Sequence, residues 1–246
     1  MPGGTLTRLK QRLALLFASP AERRHARVGP AHLWKMKRAF QIEYLRRTGL
    51  EPGQRLLDLG CGTLRGGLPL IEFLDAGHYT GIDVRAEVLD EARRELVEAG
   101  LAHKAPVLLF ATDLGALELA PRFDVIWAFS VLIHMDDAAL ERALAFVARH
   151  LAPEGAFHAN ARLPDVDGGE RRDLRWEGFP VVTRSLEFYR LAGARHGLVL
   201  RDLGPLAGLG HVSGDPEQDG QHMLTWQSWQ TGVNRAPAGA SGARAG

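Results

Sequence analysis

Apolar residues recur along this chain with two different periods, and the switch between them divides it. Residues 5–17 (TLTRLKQRLALLF) place Leu6, Leu9, Leu13, Leu16 and Phe17 on one helical face, with Arg8, Lys10 and Arg12 off it. Ser19-Pro20 stops that helix. A second helical stretch, 31–47, carries Leu33, Trp34, Met36, Phe40 and Leu45, and Gly49 follows as a stop signal. From Glu51 short apolar runs alternate with amphipathic segments. The pattern predicts strands at 55–59, 79–84, 107–111, 124–129 and 156–162. It predicts helices at 68–74, 86–99 and 137–151, the last capped by Asp136 or Asp137. Such alternation builds βαβ units, hence an α/β fold with a mostly parallel sheet covered by helices on both faces.

The rhythm breaks at 164–182, a charged stretch rich in Gly and Pro that reads as a surface insertion. A helix over 183–196, a strand at 198–203, a Gly-rich loop and a last strand at 222–229 follow. Two late strands without a helix between them make a hairpin, so the sheet is expected to end in an antiparallel edge. The small, polar residues 234–246 read as a disordered tail. The expected organisation is a helical cap or arm over 1–50 and a domain over 51–233, with the tail beyond it.

Composition narrows this picture. In 246 residues, 46% are apolar and 24% charged, as in globular domains. One cysteine, Cys61, excludes a disulfide framework and a multi-thiolate metal site. No run approaches the ~18 apolar residues of a membrane span, and the early run 13–18 is shorter than a signal-peptide core of roughly 7–15 residues. A cytoplasmic protein is expected. The net charge of +1 gives no whole-chain case for nucleic acid, yet residues 1–50 hold 11 of the 30 basic side chains and 2 of the 29 acidic ones. The helix at 5–17 therefore has two readings, a cap docked on the body or a basic face resting on an anionic membrane or acidic partner.

Candidate chemistry begins in LLDLGCGTLRGG (56–67), where an apolar strand runs into Gly60-x-Gly62. Glycines there let a ligand approach the backbone at the carboxyl edge of a parallel sheet. Asp58 lies inside the strand, where a carboxylate suits a ligand carrying a cation. Asp83 ends the second strand in HYTGIDV (78–84), placed to accept ribose hydroxyls. Asp113 ends the third in LLFATDL (108–114), placed to accept from a purine amine. Three acids on one sheet edge describe a pocket for a cationic nucleoside.

With FDVIWAFSVLIHM (123–135) and LAPEGAF (151–157), these blocks resemble the class I S-adenosylmethionine-dependent methyltransferases in order and spacing. The resemblance implies a Rossmann-like, seven-stranded sheet with a reversed last strand, and S-adenosylmethionine as cofactor. Carried over by position, Asp58, Gly60 and Gly62 would hold the methionine end, Asp83 the ribose and Asp113 the adenine. Leu114 would pack beside the adenine and Ser130 would line the methionine side, with Cys61 and Val84 among the cofactor-contacting positions. Leu64 stands where many members have a third Gly.

The methyl acceptor is less legible. His134, after the fourth strand, is expected to face the transferred methyl as a general base, or else to be an ordinary residue beside the Asp136 cap. Strand five, FHANARL, carries His158, Asn160 and Arg162 on one face; Asn160 and Arg162 are expected at the substrate cavity, though Arg162 equally suits a structural salt bridge. His211 and His222 border the last loop, on the far rim. Trp34, Lys35 and Phe40 are further candidates for substrate contact, and 164–182, with Trp176 and Phe179, reads as a lid or a solvated loop. No dense metal-ligand motif is present. The fourth strand lacks the Asn/Asp-Pro-Pro-Tyr/Phe block of many amino-methylating relatives. The expected reaction is methyl transfer to a small-molecule acceptor, at oxygen rather than nitrogen. The alternative is an RNA or protein substrate docked on the basic arm.

Overall fold

The computed structural model describes residues 31–164, 171–176 and 179–229. The predicted helix at 5–17 and the tail at 234–246 lie outside these residues. Seven strands form one sheet: β1 (Leu56–Leu59), β2 (Tyr79–Asp83), β3 (Val107–Phe110), β4 (Phe123–Ala128), β5 (Leu151–Ala161), β8 (Leu198–Pro205) and β9 (His222–Ser228), in the order β3-β2-β1-β4-β5-β9-β8. Strands β1 to β5 pair in parallel, while β9 is antiparallel to both β5 and β8. The reversed strand is thus interior, and the edge strand β8 runs with the parallel set. The sheet therefore ends, as expected, in an antiparallel hairpin, with the reversed last strand on its inner side. Pairing with β5 and β8 on its two sides saturates the backbone groups of that reversed strand.

Strand alternation sorts the apolar residues onto two faces. Leu56, Tyr79, Trp127 and Phe129 pack with α1 (Trp34–Arg47) and α2 (Gly67–Phe73), and also with α3 (Ala86–Glu98) through Leu89 and Ala92. Leu57, Ile82, Ile126 and Phe157 pack with α4 (Asp137–His150) and α5 (Leu186–Ala194) through Leu140, Leu144, Tyr189 and Ala192. The predicted N-terminal cap contributes Phe40, Tyr44, Leu45 and Leu50 to the first core, so this part of it is packed into the body.

Helix starts follow local caps. The Asp136 carboxylate accepts from the Ala139 N–H at 2.7 Å and opens α4, while Asp137 ion-pairs with Arg184. Ser185 accepts from the Phe188 N–H, which is why α5 begins after Thr183 has ended a strand rather than at 183. Strand β5 begins at Leu151, five residues before the expected start. Gly155 permits this, since a Cβ there would meet the Phe123 and Asp124 carbonyl oxygens at 2.9 Å.

Two segments reach the carboxyl edge of the sheet from late in the chain. His222 opposes both Ala161 and Pro205, so the 206–221 connection, with a short helix α6 (Pro216–Asp219), lies over that edge. Arg47 of α1 donates to the Leu209 carbonyl and ties the connection down. The predicted insertion holds a two-stranded antiparallel ribbon, β6 (Arg171–Trp176) with β7 (Phe179–Thr183). Behind β7 the buried Arg184 donates to the Met135 carbonyl at 2.7 Å and anchors the ribbon beside the Leu132–His134 turn.

Candidate active site

Two cavities adjoin at the carboxyl edge, of about 290 and 270 Å³. Gly60, Arg85, Ser130 and His134 line both. The first also has Asp58, Cys61, Gly62 and Arg65 from the turn after β1, Lys37 and Gln41 from α1, and His211, Gln218 and Gln221 from the late connection. The second has Asp83, Val84, Ala111, Thr112 and Leu114, with Phe179 from the ribbon.

The first turn is shaped for a ligand. Gly60 and Gly62 sit at φ +72° and +57°, and a Cβ on Gly60 would meet the Val131 side chain at 2.5 Å. Leu64 adopts φ +62° with its side chain fully buried. Where relatives of this pattern carry glycine, this chain takes the same left-handed backbone and offsets its cost, roughly 1–2 kcal/mol, by packing a side chain into the core.

Asp58 is buried and accepts from the Tyr79 hydroxyl at 2.7 Å. Burial raises its carboxyl to about 7 and the neighbouring Asp83 adds to the rise, against the lowering effects of Tyr79 and Arg65. A cation placed here would relieve that cost, so the donor set fits a sulfonium-bearing amino acid. Asp83 accepts from the Gly62 and Arg85 N–H groups, both at 3.0 Å, at the mouth of the second cavity. The Cys61 thiol is pushed well up by burial beside these acids, which keeps it protonated and inert.

Several predicted residues meet here and others do not. Asp58, Gly60, Cys61, Gly62, Asp83, Val84, Leu114, Ser130 and His134 line the cavities. Asp113 does not: its carboxylate is largely exposed, accepting from the Gly115 N–H and pairing with Arg142, so Ala111, Thr112 and Leu114 form that wall instead. Trp34 is buried, with the Arg65 guanidinium 5.9 Å from its ring centroid, and α1 presents Lys37 and Gln41 in its place. Arg162 is in a salt bridge with Glu217 at 3.1 Å. Asn160 has no exposed surface; its Oδ1 accepts from the Ser130 N–H and its Nδ2 donates to Gln221. It therefore braces the site and does not enter the cavity, because β5 is covered by β4 and β9 on its sides and by α1 on this face.

Two histidines face the first cavity. His134 Nδ1 lies 2.8 Å from the Pro180 carbonyl, an acceptor only, so Nδ1 carries the proton and Nε2 is the basic nitrogen. Burial lowers its pKa. His211 is 1% exposed; its Nδ1 donates to Asp219 at 2.8 Å, and its buried Nε2 has no hydrogen-bond partner among the described residues. Burial is the largest cause of its lowered pKa, with Asp219 opposing. Sequence placed His211 only on the far rim. An Asp eight residues later was its one local signal, and Lys37 had none.

A profile described as a methyltransferase domain matches residues 57–157. Over 101 residues the chain is 32% identical to a ubiquinone biosynthesis O-methyltransferase of Aromatoleum aromaticum, covering 41% of each chain, so it spans about two fifths of that relative's length. In structure it is similar to the glycopeptide N-methyltransferase MtfA (TM-score 0.60, 19% identity, 78% of this chain and 90% of that one). It is similar as well to the [4+2]-cyclase SpnF (TM-score 0.59, 21% identity, 78% and 81%). At such identities the two structures speak for the fold alone, and together with the first relative they represent three different chemistries. The profile match, the strand order with one reversed strand and the glycine turn with its buried acid agree: residues 57–157 are similar to a methyltransferase domain, and the fold is that of S-adenosylmethionine-dependent methyltransferases.

Proposed function

We propose that the protein transfers a methyl group from S-adenosylmethionine to a hydroxyl oxygen of a small molecule, with His211 as the general base. The observation that carries this reading is the His211–Asp219 pair: a buried imidazole, fixed through Nδ1, with an unpartnered Nε2 on the same cavity as the glycine turn. A hydroxyl attacking a methyl group must lose its proton, whereas an amine can attack as the free base. Asp58, Gly60 and Gly62 would hold the methionine end, Asp83 the ribose, and Ala111, Thr112 and Leu114 the adenine. S-Adenosylmethionine held there would supply an electrophilic methyl group for the acceptor oxygen, with the thioether as leaving group. His211 Nε2 takes the hydroxyl proton, and Asp219 steadies the imidazolium that results. A cavity of about 290 Å³ suits a small acceptor rather than a polymer, and the O-methyltransferase relative supports oxygen as the target.

His134 is the second candidate base. The Pro180 contact that fixes its tautomer supports it, and its place on both cavities suits a role at their junction. Methyl-labelled donor incubated with a metabolite extract should give an O-methylated product identifiable by mass spectrometry. With that acceptor, His211→Gln should lower kcat by about 10²–10⁴-fold and leave donor affinity unchanged. Retained kcat in His211→Gln with loss in His134→Gln would reassign the base; a product labelled on nitrogen would overturn the hydroxyl reading.

A further inference from the structure

The first cavity contains a cation that removal of a hydroxyl proton does not use. Lys37 projects from α1, is 7% exposed and lines the cavity beside His211. The charges that reach it are the Arg65 guanidinium and the Asp215 and Asp219 carboxylates, and no carboxylate of the described residues forms an ion pair with it. Arg65 adjoins the glycine turn and is electrostatically coupled to Asp58, which places it on the methionine side. Both cations act on His211 and Arg65 acts on Lys37, but of the two only Lys37 feels the Asp215 and Asp219 carboxylates of the late connection, which places it nearer the acceptor side. The same cavity has apolar lining from Phe129, Ile133, Val181 and Leu206.

From this arrangement we infer that the acceptor is a hydroxylated carboxylic acid, its carboxylate held by the Lys37 ammonium, its hydrocarbon body against the apolar wall and its hydroxyl at His211. The inference rests on the hydroxyl-acceptor reading above. A buried ammonium beside a second buried cation is a costly arrangement unless an anion enters. Burial and Arg65 hold Lys37 down to about 8 despite Asp215 and Asp219, so the two acids do not compensate it. A single ammonium matches a monoanion, whereas a phosphate dianion asks for more donors than Lys37 supplies. A bound carboxylate favours the charged form of Lys37, so the acid is held best below pH ~8 and less well as the ammonium deprotonates above it.

The test uses the full chain saturated with S-adenosylhomocysteine and a panel of small aromatic and aliphatic hydroxy acids, each paired with its primary amide. Binding is read by thermal shift and then by calorimetry. At pH 7 at least one acid should bind about 10-fold more tightly than its amide, and the ratio should fall through pH 8 to 9. Lys37→Met, with Lys37→Gln as the second variant, should bring acid and amide within about 2-fold of each other, with S-adenosylhomocysteine affinity unchanged. Acids bound no better than amides, or a preference that survives both substitutions, overturns the inference. Loss of S-adenosylhomocysteine affinity in Lys37→Met overturns it too, since Lys37 would then serve the donor. An acid that is preferred through Lys37 but labelled on its carboxylate rather than its hydroxyl supports acid recognition while overturning the hydroxyl reading.

Discussion

Asp58 shows how one side chain links burial to ligand chemistry. Held at about 7 by desolvation, it is partly protonated in the donor-free protein at neutral pH. A cation arriving beside it favours the carboxylate, so donor binding at pH 7 should release a fraction of a proton per site. Calorimetry in buffers of different ionisation enthalpy reads this directly. Release should vanish at pH 9, where Asp58 is already ionised, and in Asp58→Asn, which should also bind the donor more weakly. Equal release in that variant would place the proton elsewhere. This residue was legible in the sequence, because a strand ending in Gly-x-Gly fixes where the side chain two residues earlier must lie. Asp113 was not: its position at a strand end was readable, but the Gly115 N–H and Arg142 take its carboxylate, and both contacts depend on the folded loop.

At the scale of elements, β5 separates what a pattern reveals from what it hides. His158 and Asn160 stood out as polar residues on a parallel strand, and both are buried. Their destinations are internal: His158 Nδ1 lies 3.0 Å from the Tyr44 hydroxyl of α1, and Asn160 joins Ser130 to Gln221. Ser130 sits at φ +61°, a strained backbone for a non-glycine, held by Asn160 at the junction of the cavities. Asn160→Leu leaves the Ser130 N–H and Gln221 without their partner, and should cost about 1–3 kcal/mol in urea unfolding. It should also weaken donor binding, because Ser130 loses its brace. Unchanged donor affinity with the stability loss would confine Asn160 to the core. Helix α1 gives the converse lesson. Its apolar face was readable from periodicity, but no spacing singled out Lys37 and Gln41, which are buried, Gln41 accepting from Trp127 of β4 and Lys37 lying near the acids of the late connection.

The whole molecule carries two buried groups whose titrations oppose each other. Asp58 has a folded pKa raised above the unfolded carboxyl, so its neutral form stabilises the donor-free protein at low pH and that contribution is lost as pH rises toward 7. His158 is lowered by burial to about 4, so its neutral form stabilises the fold above pH 6.5 and that contribution is lost as pH falls toward 4. Between pH 7 and 4, Asp58→Asn should therefore lose urea stability with acid more steeply than the parent chain. His158→Gln should lose it less steeply. Parallel slopes in all three would show that neither group sets the acid response.

The sequence by itself determined the parallel sheet, its helices, the glycine turn and the acids Asp58 and Asp83. All of these follow from side-chain periods and short spacings along one strand–turn–helix unit. It also fixed that the last strand is reversed, since two strands without a crossover must pair antiparallel. Only the tertiary structure decided that β9 lies inside the sheet, because a hairpin can join an edge in either order. The lining of the first cavity was decided there as well. Lys37, His211 and Gln221 come from opposite ends of the chain, and no local spacing encodes that β9 returns the 206–221 connection to the edge where β1 ends.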